Sequence, residues 1–120
     1  QAMEINLPPE TDRPIEVDVN EKTLIYFRVD PVDSLYYNIG MENPKPVSWG
    51  ELRSILNERK TTVGDKLTIV AKIHRKAKYA NMVNLLDEFN LAKTTRFSIL
   101  KFDAVDDSLL ALTGRYVRGL

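Results

Sequence analysis

Cysteine is absent from the 120 residues, histidine occurs once, and only five glycines are present. The first absence removes disulfide frameworks, thiolate zinc sites and cysteine nucleophiles together, and it is compatible with an oxidising or a reducing compartment. One histidine excludes a two-histidine metal site. The glycines are scattered, so no phosphate-cradling pattern forms. No run of 18 apolar residues occurs, and the amino terminus lacks the basic-then-apolar order of a signal peptide. Neither sign of charge is in excess, with 17 acids and 17 Lys plus Arg, so no global field draws the chain toward nucleic acid or anionic lipid.

Charge is nevertheless unevenly placed. Residues 1–50 hold nine acids and four bases, and residues 51–100 hold five acids and ten bases. Met3 follows Gln1 and Ala2, which reads as a tag remnant or an excised fragment rather than a natural start. The length suits one compact domain able to bury roughly two-thirds of the surface its unfolded chain exposes.

Residues 1–14 carry Pro8, Pro9 and Pro14 among polar residues and read as an extended linker. "PIEVDV" then alternates, with Ile15, Val17 and Val19 on one face, the pattern of a half-buried edge strand open to another strand. "TLIYFRV" is apolar on both faces and predicts a strand covered on two sides. "DPVDS" supplies a turn and "LYYNIG" the returning strand, closed by Gly40, Asn43, Pro44 and Pro46. Tyr36 and Tyr37 point to opposite faces there, so one ring is expected to pack and the other to be exposed for a partner.

In "PKPVSWGELRSIL", Ser48 and Glu51 have capping-box spacing, worth about 1 kcal/mol at a helix start. Trp49, Leu52, Ile55 and Leu56 form the apolar stripe of a helix over 48–60. "KLTIVAKI" predicts a central strand, and Tyr79, Met82, Val83, Leu86 and Phe89 mark a second helix over 79–90. "RFSILKF" is the next strand, and a short helix is expected near 106–112, with a tail over 113–120. This order predicts an α+β fold: a two-layer sandwich with a mixed sheet of about four to five strands and two helices on one face. The domain is expected over 15–112.

No catalytic, cofactor or metal constellation emerges. Asp87 with Glu88, and Asp106 with Asp107, read as solvated or helix-start charges. His74 reads as a solvated loop histidine beside the chain's one local basic concentration: Lys72, Arg75, Lys76 and Lys78, with Tyr79 adjacent. That loop offers a second reading, a cytosolic module binding nucleic acid or an acidic protein. The strands lack the glycine-bearing stacking motif of an RNA-binding sheet, so nucleic acid is not expected as a partner.

Over residues 24–102 the chain resembles the ExbD/TolR family of biopolymer transport proteins. "VDPVDSLYYNIG" matches the family's short hairpin. In "PVSWGEL", Pro46, Val47, Ser48, Glu51 and Leu52 fit the first helix motif, and in "YANMVNLLDEF", Tyr79, Val83, Asp87 and Phe89 fit the second. "INLPPE" looks like the segment that follows the family's membrane anchor. Two departures stand out: His74, Arg75 and Lys76 occupy a loop that is usually acidic, and "NLAKTT" replaces an Ala-Gly close to the second helix. The reversal of loop charge bears on partner preference and not on fold.

The resemblance implies the periplasmic domain of a single-pass inner-membrane protein; without a nucleophile-base or metal constellation, neither an enzymatic activity nor a cofactor is expected. It would work with an ExbB/TolQ-like multi-span protein and deliver ion-motive force to a TonB- or TolA-like protein. It also implies a homodimer and, as in TolR-type domains, association with peptidoglycan. The residues expected to meet partners or a second copy are Ile15, Val17, Val19, Tyr36, Tyr37, His74, Arg75, Lys76, Tyr79 and Asp87.

Overall fold

A computed structural model describes residues 21–114 and 116. The expected linker over 1–14 and the edge strand carrying Ile15, Val17 and Val19 lie outside the described residues. After a 3-10 turn, Glu21–Thr23, the apolar run "LIYFRV" becomes strand β1, Leu24–Val29, whose two faces are both largely buried. β2, Leu35–Ile39, returns antiparallel to it, with Ile25 opposite Ile39 and Val29 opposite Leu35. Asp30 builds the turn between them: its Oδ1 accepts from the amides of Val32 at 3.0 Å and Ser34 at 2.9 Å. This is the local side-chain capture that makes Asp a turn residue.

Pro44 and Pro46, expected only to end the hairpin, lead into a third strand. β3, Lys45–Val47, pairs antiparallel with β2, placing Pro46 opposite Tyr36. An edge strand tolerates proline because one side of its backbone has no ladder to complete. The Glu51 carboxylate then accepts from the Ser48 amide at 3.1 Å and its hydroxyl at 3.2 Å, as the capping spacing predicts. A 3-10 turn, Trp49–Glu51, leads into α1, Leu52–Val63, which runs a turn past its expected end to Gly64, whose φ of 68° suits glycine.

β4, Thr68–Ile73, lies parallel to β1 on the side away from β2, and β5, Phe97–Lys101, lies parallel to β4. The sheet order is β3-β2-β1-β4-β5. Parallel neighbours need crossovers, which α1 and then α2, Tyr79–Leu91, provide. Leu52 and Leu56 of α1 and Leu85 and Phe89 of α2 join one core with Ile25, Phe27, Val29, Ile69 and Ala71. The five strands and two helices on one face match the fold read from the sequence.

The buried stripe of α2 runs through Leu85 and Phe89 rather than through Tyr79, which opens the helix beyond the end of β4 and is 73% exposed. A third helix, α3, Ala104–Ala111, covers the opposite sheet face. Its placement follows from strand alternation: Arg28 lies between Phe27 and Val29 and points away from the main core. Its Nε donates to Asp106 Oδ1 at 2.7 Å and its Nη1 to Asn38 Oδ1 at 2.7 Å. Lys72 Nζ lies 3.0 Å from the other Asp106 oxygen, which also accepts from the Asp103 amide at 2.8 Å. Asp106 and Asp107 are helix-start charges, in the first turn of α3, but they are buried, 1% and 6% exposed, rather than solvated. Tyr36, Phe102, Leu110 and Tyr116 form a second apolar cluster around them.

Burial opposes ionisation of Asp106, but hydrogen bonds from Arg28, the Asp103 amide and Lys72 outweigh it and hold its carboxyl below the usual carboxylate range. Its stabilisation is present above the ordinary value of 3.8 and is lost as acid titrates the folded carboxyl. Removing one partner of such a pair strands a buried charge, so Asp106→Leu or Arg28→Met alone should cost about 3–5 kcal/mol, whereas the two together should recover most of that. Urea denaturation of both single variants and the double variant measures the coupling, and additive losses would refute it.

Candidate functional site

The carboxyl ends of β1, β4 and β5 lie side by side, because the parallel registers pair Val29 with Ile73 and Ile73 with Lys101. In open α/β sheets this is the edge where loops converge and ligands are held. Here it gathers the 30–34 turn, the 74–78 loop and the Phe102–Asp103 step into α3. Asp33 locks two of them together: its Oδ1 accepts from the Lys78 amide at 2.7 Å and from Asn81 Nδ2 at 2.9 Å. Burial pushes the Asp33 carboxyl up, but the Asn81 and Lys78 contacts prevail and hold it below its ordinary value. Trp49 Nε1 ties the same turn to α1 through the Asp33 carbonyl at 2.9 Å.

On this frame Arg75, Lys76, Lys78, Tyr79 and Val32 are exposed, so the structure brings Arg75, Lys76 and Tyr79 to one end of the fold. Asp87 is exposed too, but it stands eight residues along α2 from Tyr79, about 12 Å at 1.5 Å per residue, and belongs to a different surface. Its neighbour Glu88 makes a bidentate pair with Arg53 of α1, both bonds 3.0 Å.

His74 is not a solvated loop residue; it is 1% exposed. Its amide donates to the Val29 carbonyl at 3.0 Å, extending the β1–β4 ladder one residue beyond the strand. Alternation then turns the imidazole to the second face, with Val70 and Lys72, where it meets the Phe102 ring at 5.1 Å. Nδ1 accepts from the Lys76 amide at 3.1 Å, and Nε2 is buried without a partner among the described residues. Lys72 also leaves the basic group, because it is 14% exposed and engaged by Asp106 and Asp103.

The two tyrosines do point to opposite faces, but neither ring is free. Tyr36 is 2% exposed under the α3 side and donates to Asp30 Oδ2 at 2.9 Å. Tyr37 is half-buried, 6.5 Å from the Phe27 ring, with Lys45 Nζ 5.3 Å from its own ring centre. Both faces of β2 are covered, one by the main core and the other by the second cluster, which only the positions of α1 and α3 reveal.

Sequence reasoning passed over Lys101, Phe102, Asp103 and Ala104. With His74 and Arg75 they line a depression of about 290 Å³. The usable signal was parallel pairing of "TIVAKI" with "FSILK", which sets the residues following each strand beside one another. A second depression, about 460 Å³, lies near the start of β1 between Lys22, Ile39, Glu42, Arg59, Thr62 and Val63. Among the described residues no group of three or more His, Cys, Asp or Glu is placed to hold a metal ion, and no helix is long and apolar enough to cross a membrane.

Burial, then the charges of Arg75 and Lys76, depress the His74 pKa below its ordinary 6.5, against the pull of Asp30 and Asp107. The unfolded chain therefore takes up this proton first on acidification, so the native state loses stability as pH falls below about 6.5. Unfolding free energies from urea denaturation between pH 7.5 and 5.5 should fall with a slope of at most about 1.4 kcal/mol per pH unit for one group. His74→Phe should flatten that slope; an unchanged slope would assign it elsewhere.

No curated protein sequence matches the chain significantly. The family model ExbD, described as biopolymer transport protein ExbD/TolR, matches residues 1–104. That span contains the whole five-stranded sheet with α1 and α2, together with the loop that carries His74, Arg75 and Lys76, and stops at the first residue of α3. The chain belongs to the ExbD/TolR family of biopolymer transport proteins.

Proposed function

We propose that this chain is the periplasmic part of a single-pass inner-membrane accessory protein in an ion-motive-force-driven transport motor. In this reading an ExbB/TolQ-like multi-span protein holds its anchor, and a TonB- or TolA-like protein receives the output. The family match over residues 1–104 is the observation that carries the reading. The domain is taken as 15–112, preceded by a Pro-rich linker over 1–14 and followed by a tail over 113–120. Tyr116 of that tail donates to Asp107 Oδ1 at 2.8 Å and packs against Phe102.

The fold suits a load-bearing role. The chain that enters through Glu21–Thr23 becomes β1, which is flanked by ladders on both sides. Tension along β1 loads those transverse hydrogen bonds together rather than one after another. The strand expected over 14–20 is the element assigned to pairing with a second copy, through Ile15, Val17 and Val19. The alternative of a nucleic-acid or acidic-protein module loses one of its four cations, because Lys72 is committed to the α3 network.

Two experiments test the proposal. The native reading frame upstream of Gln1 should encode about 20 mostly apolar residues interrupted by one carboxylate; a plain cytosolic start would remove the motor reading. Removing residues 1–20 should alter dimerisation by light scattering, or partner binding in a pull-down, while the circular dichroism of the remaining chain keeps its folded signature. Unchanged dimerisation and partner binding would discard the role given to this segment.

A further inference from the structure

We propose that the depression between the ends of β4 and β5 is a binding site for a peptide carboxylate, held by Arg75 and Lys101 over the imidazole of His74. This site stands apart from the motor reading and does not depend on it.

Three observations converge. Arg75 and Lys101 are both exposed, both line the depression, and neither has an ion-pair partner among the described residues. The third cation nearby, Lys72, is already paired with Asp106 at 3.0 Å, so the free charge lies at the rim and not behind it. His74 lines the same depression and carries a ring nitrogen without a hydrogen-bond partner among the described residues. Because Nδ1 accepts from the Lys76 amide, the proton of the neutral ring sits on Nε2. That donor is buried and unsatisfied, an arrangement native proteins rarely leave uncompensated. Nε2 has no exposed surface, so a ligand oxygen reaches it only as the neighbouring Phe102 ring shifts aside.

Size and charge define the ligand. About 290 Å³ lies at the lower edge of the range for small-molecule pockets, roughly 300–1,000 Å³, and suits one side chain or one chain end. Phe102 forms an apolar wall for the carbon part of such a group. Asp103 also lines the depression, but its carboxylate is committed to the amides of Val105 and Asp106, at 3.0 and 3.4 Å, with Lys72 at 3.8 Å. Asp30 and Asp107 both act on His74 through their charges. The charges of Asp103, Asp30 and Asp107 repel a dianion such as phosphate more strongly than a singly charged carboxylate, which the two rim cations still attract.

The test is an NMR titration of the ¹⁵N-labelled chain with three probes. These are an acetylated Gly-Ala-Leu peptide with a free carboxyl end, the same peptide as its amide, and inorganic phosphate. An amidated peptide bearing one glutamate then separates a side-chain carboxylate from a chain end. The free-acid peptide should shift the amides of residues 74–76 and 101–105 together with the His74 Nε2 signal, and its amide should not. Arg75→Gln combined with Lys101→Gln, both at exposed positions, should weaken binding at least tenfold with unchanged circular dichroism and melting. Binding of the glutamate peptide as well would widen the site to side-chain carboxylates, and its absence would restrict it to chain ends. Shifts independent of the carboxylate, equal affinity in the double variant, or phosphate binding tighter than the peptide would each overturn the proposal.

Discussion

The ion pair between Arg28 and Asp106 sets the second half of this structure. An arginine on the central strand of a sheet, 5% exposed, must find a full complement of acceptors or destabilise the fold by several kcal/mol. Only α3 brings the carboxylate that satisfies it. Asn38 from β2 takes a second guanidinium N–H, and Lys72 from β4 takes the remaining Asp106 oxygen. Three strands and one helix thereby share a single cluster, in which Asp103, 3.8 Å from Lys72, supplies the second negative charge. Its members are individually costly to bury and tolerable only as a set, which fixes the position of α3 more sharply than apolar contact would.

Everything notable on that face follows from this placement. With α3 docked, Phe102 and Tyr116 close over Tyr36 and Leu110, and His74 is trapped beneath Phe102. The loop that follows β4 then has its first residue inside the protein and the next two, Arg75 and Lys76, outside. The local basic concentration in the sequence is thus divided by strand alternation into one buried network cation, Lys72, and an exposed rim.

Elements governed by short-range pattern were legible in advance. The two-sided run of β1, the turn at Asp30, the Ser48–Glu51 box and the periodicity of α1 depend on neighbours within a few positions, and they appear as read. What failed to show in the sequence depends on contacts far along the chain. Arg28 and Asp106 are separated by 78 positions, so nothing local marks Asp106 as buried or α3 as belonging to the opposite face. His74 was misplaced by a single residue of strand extension, since one more ladder hydrogen bond turns a loop side chain into a core one. Tyr79 was misplaced because helical periodicity gives the stripe but not where the sheet beneath it stops. β3 was hidden by its own proline, a residue that argues against a central strand and is silent about an edge.

The geometry also separates the entry of the chain from the candidate site. The chain enters β1 at Thr23, and the candidate site lies past Val29, so the two are separated by the length of a six-residue strand, about 20 Å at 3.3 Å per residue. That strand is braced on both sides, by β2 and by β4, and its far end is joined to α2 through Asp33 and to α1 through Trp49. A body braced in this way transmits displacement without an internal switch. In the motor reading, work done on the tether would therefore move the Arg75–Lys101 rim as a rigid attachment point, and coupling would require only that a partner be held there, with no second conformation of the domain.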